Sequence, residues 1–213
     1  MSILKSNDVR KFNPSDAKPL FKAASFDLEG IKDPWILAHE GAYYMFLSVA
    51  LPTSNTSQQS HSTLDIYNTG QCLSATGLAI SRDFENWQWQ GVVFKPGASG
   101  WDCYCRRINS VVPYHRKFVA FYDGSASHAE NYEEKTGLAV SSNLRRWECL
   151  SPSGPILTSP HSSGSLRYMD AQPVNGSAES LNLFYEFARA DSSHDLRLAT
   201  LTAETLFGSR VGA

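Results

Sequence analysis

Residues 76–84 read TGLAISRDF and residues 136–144 read TGLAVSSNL, and this repeated stretch decides the fold class. A tryptophan follows at the same offset in each copy, Trp87 and Trp147. A fainter third copy, LRLATL, spans residues 196–201. One leucine of each copy, followed by Ala, recurs at a constant interval of 60 residues: Leu78, Leu138 and Leu198. Repetition at a fixed period indicates that one structural unit is used several times.

The residues around each copy have the two-residue period of β-strands. WIL, a turn at HEGA (39–42) and YYMFL predict an inner hairpin, with equivalent turns at HRK (115–117) and NGSAES (175–180). GLAIS and GLAVS then read as third strands, and WQWQGVVF and WECLSPSGPIL as outer, fourth strands. A four-stranded antiparallel meander repeated along the chain is typical of a β-propeller.

We therefore predict an all-β fold, a β-propeller with about three recognisable blades, at approximately 33–94, 107–157 and 168–205, within a single domain spanning 1–213. Residues 49–75 are polar and aperiodic, which predicts a disordered insertion loop in the first blade. Residues 1–22 either lead into the first blade or close the last one. Closed propellers have 4–8 blades, so three blades predict an incomplete, open arc whose exposed edges favour homo-oligomers.

Composition and charge exclude several classes of function. The net charge is -2 and no Lys/Arg run is present, so we expect no nucleic-acid partner. The apolar runs are too short to cross a bilayer, and the first residues lack the apolar stretch of a secretion signal, so we expect a cytoplasmic protein without a membrane partner. The four cysteines show no metal-ligand spacing and are interpreted as reduced thiols, and no metal site is predicted.

Carboxylates recur at equivalent positions of the units. In propellers the innermost strands begin near the central axis, where Asp33 opens the first unit and Asp170 the third. FLS, FYD and FYE align Ser48, Asp123 and Glu186 near the end of the second strands. Paired carboxylates are what cleavage of a glycosidic bond requires, one as acid and one as base or nucleophile. We predict Asp33, Asp170 and Glu186 as the catalytic residues.

Other side chains have the chemistry of a sugar site. Asp123 is predicted to assist in substrate binding, and Arg107 to hold hydroxyls or a carboxylate bidentately. Trp35 and Trp101 offer flat apolar faces, and His128 lies in a polar loop where it could bind a ligand. Structural explanations stay open beside these: aspartates that begin strands cap backbone groups, Asp123-Gly124 is compatible with a turn, and Glu130, Glu133 and Glu134 read as a solvated run.

Several motifs occur in the order of a known superfamily. IKDPWILAHEGAYYMFLS, the two TGLA copies with their tryptophans, and SGSLRYMDAQPV resemble the five-bladed β-propeller glycosidases, the arabinanase, xylosidase and invertase-like enzymes of glycoside hydrolase families 43 and 32. The resemblance covers roughly residues 19–201. It implies one axial acidic residue on each of three successive blades. Asp33 matches the Asp of the family's D-P strand and Asp170 the third-blade position, whereas the second blade has Arg107-Ile108-Asn109 where an Asp is expected.

The resulting expectation is a glycoside hydrolase-like protein that acts on a carbohydrate through axial carboxylates without a required cofactor. A structural calcium ion occurs in such propellers, but no loop here has its ligand pattern. Two alternatives stay open: a non-catalytic carbohydrate-binding or interaction module, and a truncated product with no function of its own.

Overall fold

The computed structural model describes residues 1–62 and 65–211. The chain begins with a short two-stranded pair, β1 (Ser2–Ile3) and β2 (Lys18–Pro19). Single turns of 3-10 helix lie at Pro14–Asp16 and Ala23–Phe26. This N-terminal segment precedes three antiparallel units, which single parallel bridges at Ser74–Cys105 and Lys135–Leu166 join into one continuous sheet.

The three units lie where the blades are predicted, and among the described residues the third has three strands instead of four. Blade 1 consists of β3 (Gly30–His39), β4 (Ala42–Pro52), β5 (Cys72–Ser81) and β6 (Gln88–Phe94). Blade 2 consists of β7 (Cys105–Tyr114), β8 (Lys117–Ser125), β9 (Lys135–Ser141) and β10 (Glu148–Cys149). Blade 3 consists of β11 (Leu166–Val174), β12 (Ser177–Ala188) and β13 (His194–Thr202), followed by helix α1 (Ala203–Val211). Successive strands within each blade are antiparallel, which confirms the prediction of an incomplete all-β propeller.

The inner hairpin of each blade turns where the sequence predicts. Glu40, His115 and Asn175 have left-handed backbone conformations, with φ of 48°, 52° and 52°. Gly41 and Gly176 follow two of them, also with positive φ. Two successive residues at positive φ make the turn whose twist matches that of the adjoining strands, so these hairpins follow from local sequence.

The repeated TGLA stretch forms the third strand of blades 1 and 2. Its glycine allows an aromatic ring to lie directly on the strand. A Cβ added at Gly77 would be 2.2 Å from the Trp89 ring, and one at Gly137 would be 2.4 Å from the Tyr122 ring. Any larger residue would displace these rings, which explains why the glycine is repeated.

The threonine of TGLA joins each blade to the next. Thr76 accepts a hydrogen bond from the backbone N–H of Ile108 at 2.9 Å and donates to the carbonyl of Arg106 at 3.0 Å, both on β7. Thr136 donates to the carbonyl of Leu166 on β11 at 2.7 Å. The repeated stretch is therefore structural, because its threonine joins the third strand of one blade to the inner strand of the next.

Two apolar cores lie between the blades, and a third covers the outer face of blade 1. In this third core, Phe21 and Leu28 of the N-terminal segment pack with Met45, Leu47 and Val49 of β4. The option that residues 1–22 close the last blade is therefore wrong. In blade 3 the chain continues from β13 into α1, which packs into the core shared with blade 2.

The long connection between β4 and β5 is partly folded onto blade 1. It contains 3-10 turns at Gln58–Ser62 and Ile66–Thr69, and the side chains of Ile66 and Tyr67 are buried. The Tyr67 hydroxyl donates to the carbonyl of Ser48 at 3.0 Å. The prediction of disorder is therefore wrong for the described residues of this connection. Among the described residues, no helix has the length and apolar character needed to span a membrane.

Candidate functional site

A β-bulge interrupts the inner strand of each blade shortly after its start. The bulged residues are Asp33-Pro34 in β3, Asn109 in β7 and Tyr168-Met169 in β11. Asp33 and Tyr168 have φ of 50° and 54°. A bulge redirects a side chain out of the regular pleat, and left-handed non-glycine residues cost about 1–3 kcal/mol and cluster at functional sites. The starts of the inner strands are therefore the candidate functional site.

The strand register defines equivalent positions on the three blades. One basic residue on each inner strand lies opposite one polar residue on the second strand: Lys32 and Ser48, Arg107 and Asp123, Arg167 and Glu186. This confirms the sequence alignment of Ser48, Asp123 and Glu186. The residue after each basic one is equivalent as well, so that Tyr168 occupies the place of Asp33 on blade 3. Asp170 does not occupy that place: it follows Arg167 by three residues, as Trp35 follows Lys32, so the register makes Asp170 the equivalent of Trp35.

A chain of alternating charges connects blades 2 and 3 at this end. Glu186 accepts a hydrogen bond from Arg167 Nε at 3.0 Å, and its carboxylate forms an ion pair with Arg167 Nη2 at 2.9 Å. Arg167 also lies 3.8 Å from Glu134, and Glu134 accepts a hydrogen bond from Arg107. Arg107 in turn lies 3.8 Å from Asp123. We call these five residues the interblade charge network.

The centre of the interblade charge network is buried. Arg107, Asp123 and Glu134 are at most 2% exposed. Burial raises the pKa of Asp123 to about 7; Arg107 opposes this shift and the charge of Glu134 adds to it. Asp123 Oδ1 accepts the backbone N–H of Tyr168 at 3.0 Å, while its Oδ2 and Glu134 Oε2 have no hydrogen-bond partner among the described atoms. The network therefore has unused hydrogen-bonding capacity at its centre.

Three exposed side chains, those of Asp33, Tyr132 and Tyr168, lie beside this buried centre, and we call them the rim. The side chain of Asp33 is 58% exposed and lies 3.9 Å from Lys32. Tyr132 and Tyr168 are each 38% exposed. Burial and then the charge of Glu134 raise the pKa of Tyr168 to about 12, and Glu134 is also among the groups that raise the pKa of Tyr132. Both tyrosines therefore lie near the same buried carboxylate.

The rim continues into a cleft on blade 1. Asp65 accepts a hydrogen bond from the Tyr132 hydroxyl at 2.7 Å and from Lys32 at 3.4 Å. The Lys32 ammonium also lies 4.3 Å from the centre of the Tyr67 ring. The adjoining cleft has a volume of about 360 Å³ and is lined by Glu29, Gly30, Ile31, Lys32, His61, Asp65, Ile66 and Tyr67. Its volume falls within the range of small-molecule sites.

The three predicted catalytic carboxylates have different partners. Asp33 contacts Lys32, and Glu186 is bound by Arg167. Asp170 accepts the indole N–H of Trp35 at 3.1 Å and the amide of Gln172. The contact between Trp35 and Asp170 links blade 1 to blade 3, so the inner strands converge, but none of the contacts described joins the three carboxylates directly.

The predicted substrate-binding residues are placed differently from one another. Arg107 and Asp123 are buried beneath the rim, so in this structure they support the site and cannot touch a ligand directly. Trp101 stacks on Tyr122 and donates to the Ser151 carbonyl at 2.7 Å, which places its ring in the core of blade 2.

Two further predicted positions also hold protein contacts. Trp35 is partly buried against the core between blades 1 and 2, so its ring packs there. His128 Nε2 donates a hydrogen bond to the carbonyl of Asn68 at 2.9 Å. This bond joins the loop that carries His128 to the long connection between β4 and β5.

Sequence reasoning missed Glu134, Arg167, Tyr132 and Tyr168. Glu134 is 1% exposed, so its interpretation as part of a solvated run is wrong. A signal for its burial was present, because Glu134 stands two residues before Thr136 and so lies on the same side of the third strand. Among the described residues, no group of three or more His, Cys, Asp and Glu side chains has the arrangement of a metal site.

Comparison with known proteins supports the fold. No protein-family model matches the chain, and no curated protein matches it. Among solved structures, it is similar to a family 117 glycoside hydrolase produced by the marine bacterium Zobellia galactanivorans, with a TM-score of 0.63 and 15% identity over 85% of this chain and 55% of that one.

Two further solved structures have the same fold. A Bombyx mori glycoside hydrolase family 32 β-fructofuranosidase matches with a TM-score of 0.58 and 13% identity over 92% of this chain and 37% of that one. Fructan 1-exohydrolase IIa from Cichorium intybus matches with a TM-score of 0.55 and 20% identity over 81% of this chain and 30% of that one. At these identities the likeness shows the glycosidase-propeller fold alone, and the chain spans about half the length of the first such structures.

Proposed function

We propose that the protein binds a carbohydrate across the rim at the start of its inner strands. The observation that carries this proposal is the position of Asp33, Tyr132 and Tyr168, which are exposed around a buried, tightly bonded charge network. Sugar rings bind to flat aromatic faces, and charged groups with fixed geometry bind their hydroxyls. The rim offers both kinds of contact, beside a cleft of suitable volume.

Each part of the site has a role in this proposal. Tyr132 and Tyr168 provide the faces that contact the sugar ring, and Asp33 accepts hydrogen bonds from its hydroxyls. The interblade charge network beneath them holds the rim in place, because Asp123 accepts a hydrogen bond from the backbone N–H of Tyr168. Rigid support of this kind limits the entropy lost on binding.

Titration with a panel of mono- and oligosaccharides tests the proposal. Tyr168→Ala is expected to weaken binding about 10-fold, since the loss of one aromatic contact is worth roughly 1.4 kcal/mol. Phe12→Ala is the matched control, because Phe12 is an exposed aromatic residue in the N-terminal segment. Isothermal titration calorimetry measures both variants. Equal affinity of Tyr168→Ala and Phe12→Ala for every sugar bound would contradict the proposal.

Hydrolysis of a glycosidic bond is the second candidate function, and the exposed carboxylate of Asp33 favours it. Asp33 would act as base or nucleophile, and Glu186 or Asp170 as acid after leaving its present partner. The reaction would need no cofactor.

Aryl glycosides distinguish the two functions. Asp33→Asn is expected to abolish turnover while sugar binding persists, and Asp16→Asn, an exposed aspartate in the N-terminal segment, is expected to leave turnover unchanged. Binding without turnover in the unmodified protein would reject hydrolysis and leave the binding proposal intact.

A further inference from the structure

Blade 3 ends at an open strand edge. In blade 1 the third strand pairs with β6, and in blade 2 it pairs with β10. Among the described residues, the third strand of blade 3, β13, pairs only with β12. An edge strand of nine residues presents backbone N–H and C=O groups that another strand can pair with.

The same blade has an exposed apolar surface. Leu196, Leu198 and Phe184 are 77%, 60% and 38% exposed, and Phe184 lies opposite Leu198 across the two strands. By contrast, the outer face of blade 1 is covered by Phe21 and Leu28 of the N-terminal segment. Soluble proteins usually shield such an edge with charged residues, turns or a covering element. Among the described residues, the edge of blade 3 therefore combines unpaired backbone groups with exposed apolar side chains, which favours association.

We propose that β13 pairs with β13 of a second copy of the chain, antiparallel and about a two-fold axis at Leu196. The sequence of the edge selects this partner, because Asp195-Leu196-Arg197 is complementary to itself when it runs antiparallel. Leu196 then faces Leu196 of the partner subunit. Asp195 faces Arg197 of the partner subunit, and the symmetry repeats this ion pair. The two blades form one continuous sheet.

The charges at this edge are partly exposed and have partners within one chain: Asp195 accepts a hydrogen bond from Arg189 at 3.2 Å, and Arg197 lies 3.7 Å from the centre of the Phe187 ring. Asp195 and Arg197 are 38% and 41% exposed, and they lie 3.3 Å apart within one chain. Opposite charges directly across a strand pair stabilise it, and like charges destabilise it. A two-fold contact presents the same patch on both subunits, which is the commonest symmetry of soluble oligomers. This surface lies on the outer strand of blade 3, so the inference does not rest on the proposed carbohydrate site.

Charge reversal and charge exchange test the inference by sedimentation equilibrium. The unmodified protein is expected to dimerise reversibly. Arg197→Asp places two aspartates opposite each other at both symmetric positions and is expected to weaken the dimer about 10-fold or more. The double variant Asp195→Arg, Arg197→Asp restores opposite charges in the same register and is expected to regain most of the lost affinity.

Phe184→Lys is the control that separates edge pairing from face-to-face packing of the blades. Phe184 lies one strand inside the edge, so its replacement is expected to change the dimer constant less than 2-fold. Thermal melting of each variant verifies that the fold persists. A monomer at all concentrations, a double variant no tighter than Arg197→Asp, or a dimer disrupted only by Phe184→Lys would each overturn the inference.

Discussion

Replacement of Asp123 by Asn is expected to remove a pH-dependent loss of stability. Asp123 is fully buried, and its burial raises its pKa in the folded protein to about 7. In the unfolded chain an aspartate titrates near pH 4. The folded protein therefore keeps this proton over a pH range in which the unfolded chain has already released it.

The sign of the effect follows from this difference. Below about pH 4 both states are protonated and the stabilising contribution is fully present. As the pH rises from about 4 to about 7, the unfolded state is increasingly favoured, and above about 7 the loss is complete. A difference of about three pKa units corresponds to roughly 4 kcal/mol. Asn carries no such proton and retains an acceptor for the backbone of Tyr168, so the variant should not show this loss.

Urea denaturation of both proteins at several pH values between 4 and 8 measures the effect. The quantity to compare is the difference in unfolding free energy between Asp123→Asn and the unmodified protein as a function of pH. Contacts that the variant loses or gains shift this difference by the same amount at every pH, so the change of the difference with pH reports the proton alone. Asp16→Asn, with its exposed side chain, should give a curve parallel to that of the unmodified protein. If the difference for Asp123→Asn stays constant within about 1 kcal/mol across this range, the reasoning about Asp123 is refuted.

Three other substitutions test the packing of the blades by the same measurement at pH 7. Arg107→Met should destabilise the fold by about 3–5 kcal/mol, because it removes the cation between the buried carboxylates of Asp123 and Glu134 and leaves only Arg167 beside Glu134; a change below 1 kcal/mol would contradict the role given to the network. Thr76→Val should cost about 1–3 kcal/mol by leaving a buried backbone N–H on the next blade unpaired, whereas the exposed Thr158→Val should have almost no effect. Phe21→Ala should cost about 3–5 kcal/mol if the N-terminal segment caps blade 1, and a neutral result would show that the cap is dispensable.

The blades could be predicted from sequence because their signals are local. Each signal depends on residues within about ten positions of one another: the glycine of TGLA, the turn residues and the alternation of the strands. The same signals recur along the chain at an interval of 60 residues. The N-terminal segment was not predictable in the same way. Phe21 and Leu28 carry no periodic signal that says which blade face they cover.

The candidate site was predicted only in part. Asp33 was found because it stands beside the proline of a recognisable motif, and its exposure on a bulge agrees with a site. Asp170 was misplaced because the equivalent of Asp33 is defined by the strand register, which aligns Arg167 with Lys32 and so puts Tyr168 in that position. Glu134 was missed because its partner, Arg107, is 27 residues away in the chain. Its burial depends on that pairing.

The sequence by itself determined the fold class, the number of blades, and the positions of the hairpins and of the polar residues equivalent across blades. These features arise from strand periodicity and turn geometry, which neighbouring residues control. Only the tertiary structure decided which carboxylates are buried, which are paired and which reach solvent. That choice depends on charges from different blades meeting in the buried contact between blades 2 and 3, where removal from water makes an unpaired charge costly and pairing necessary.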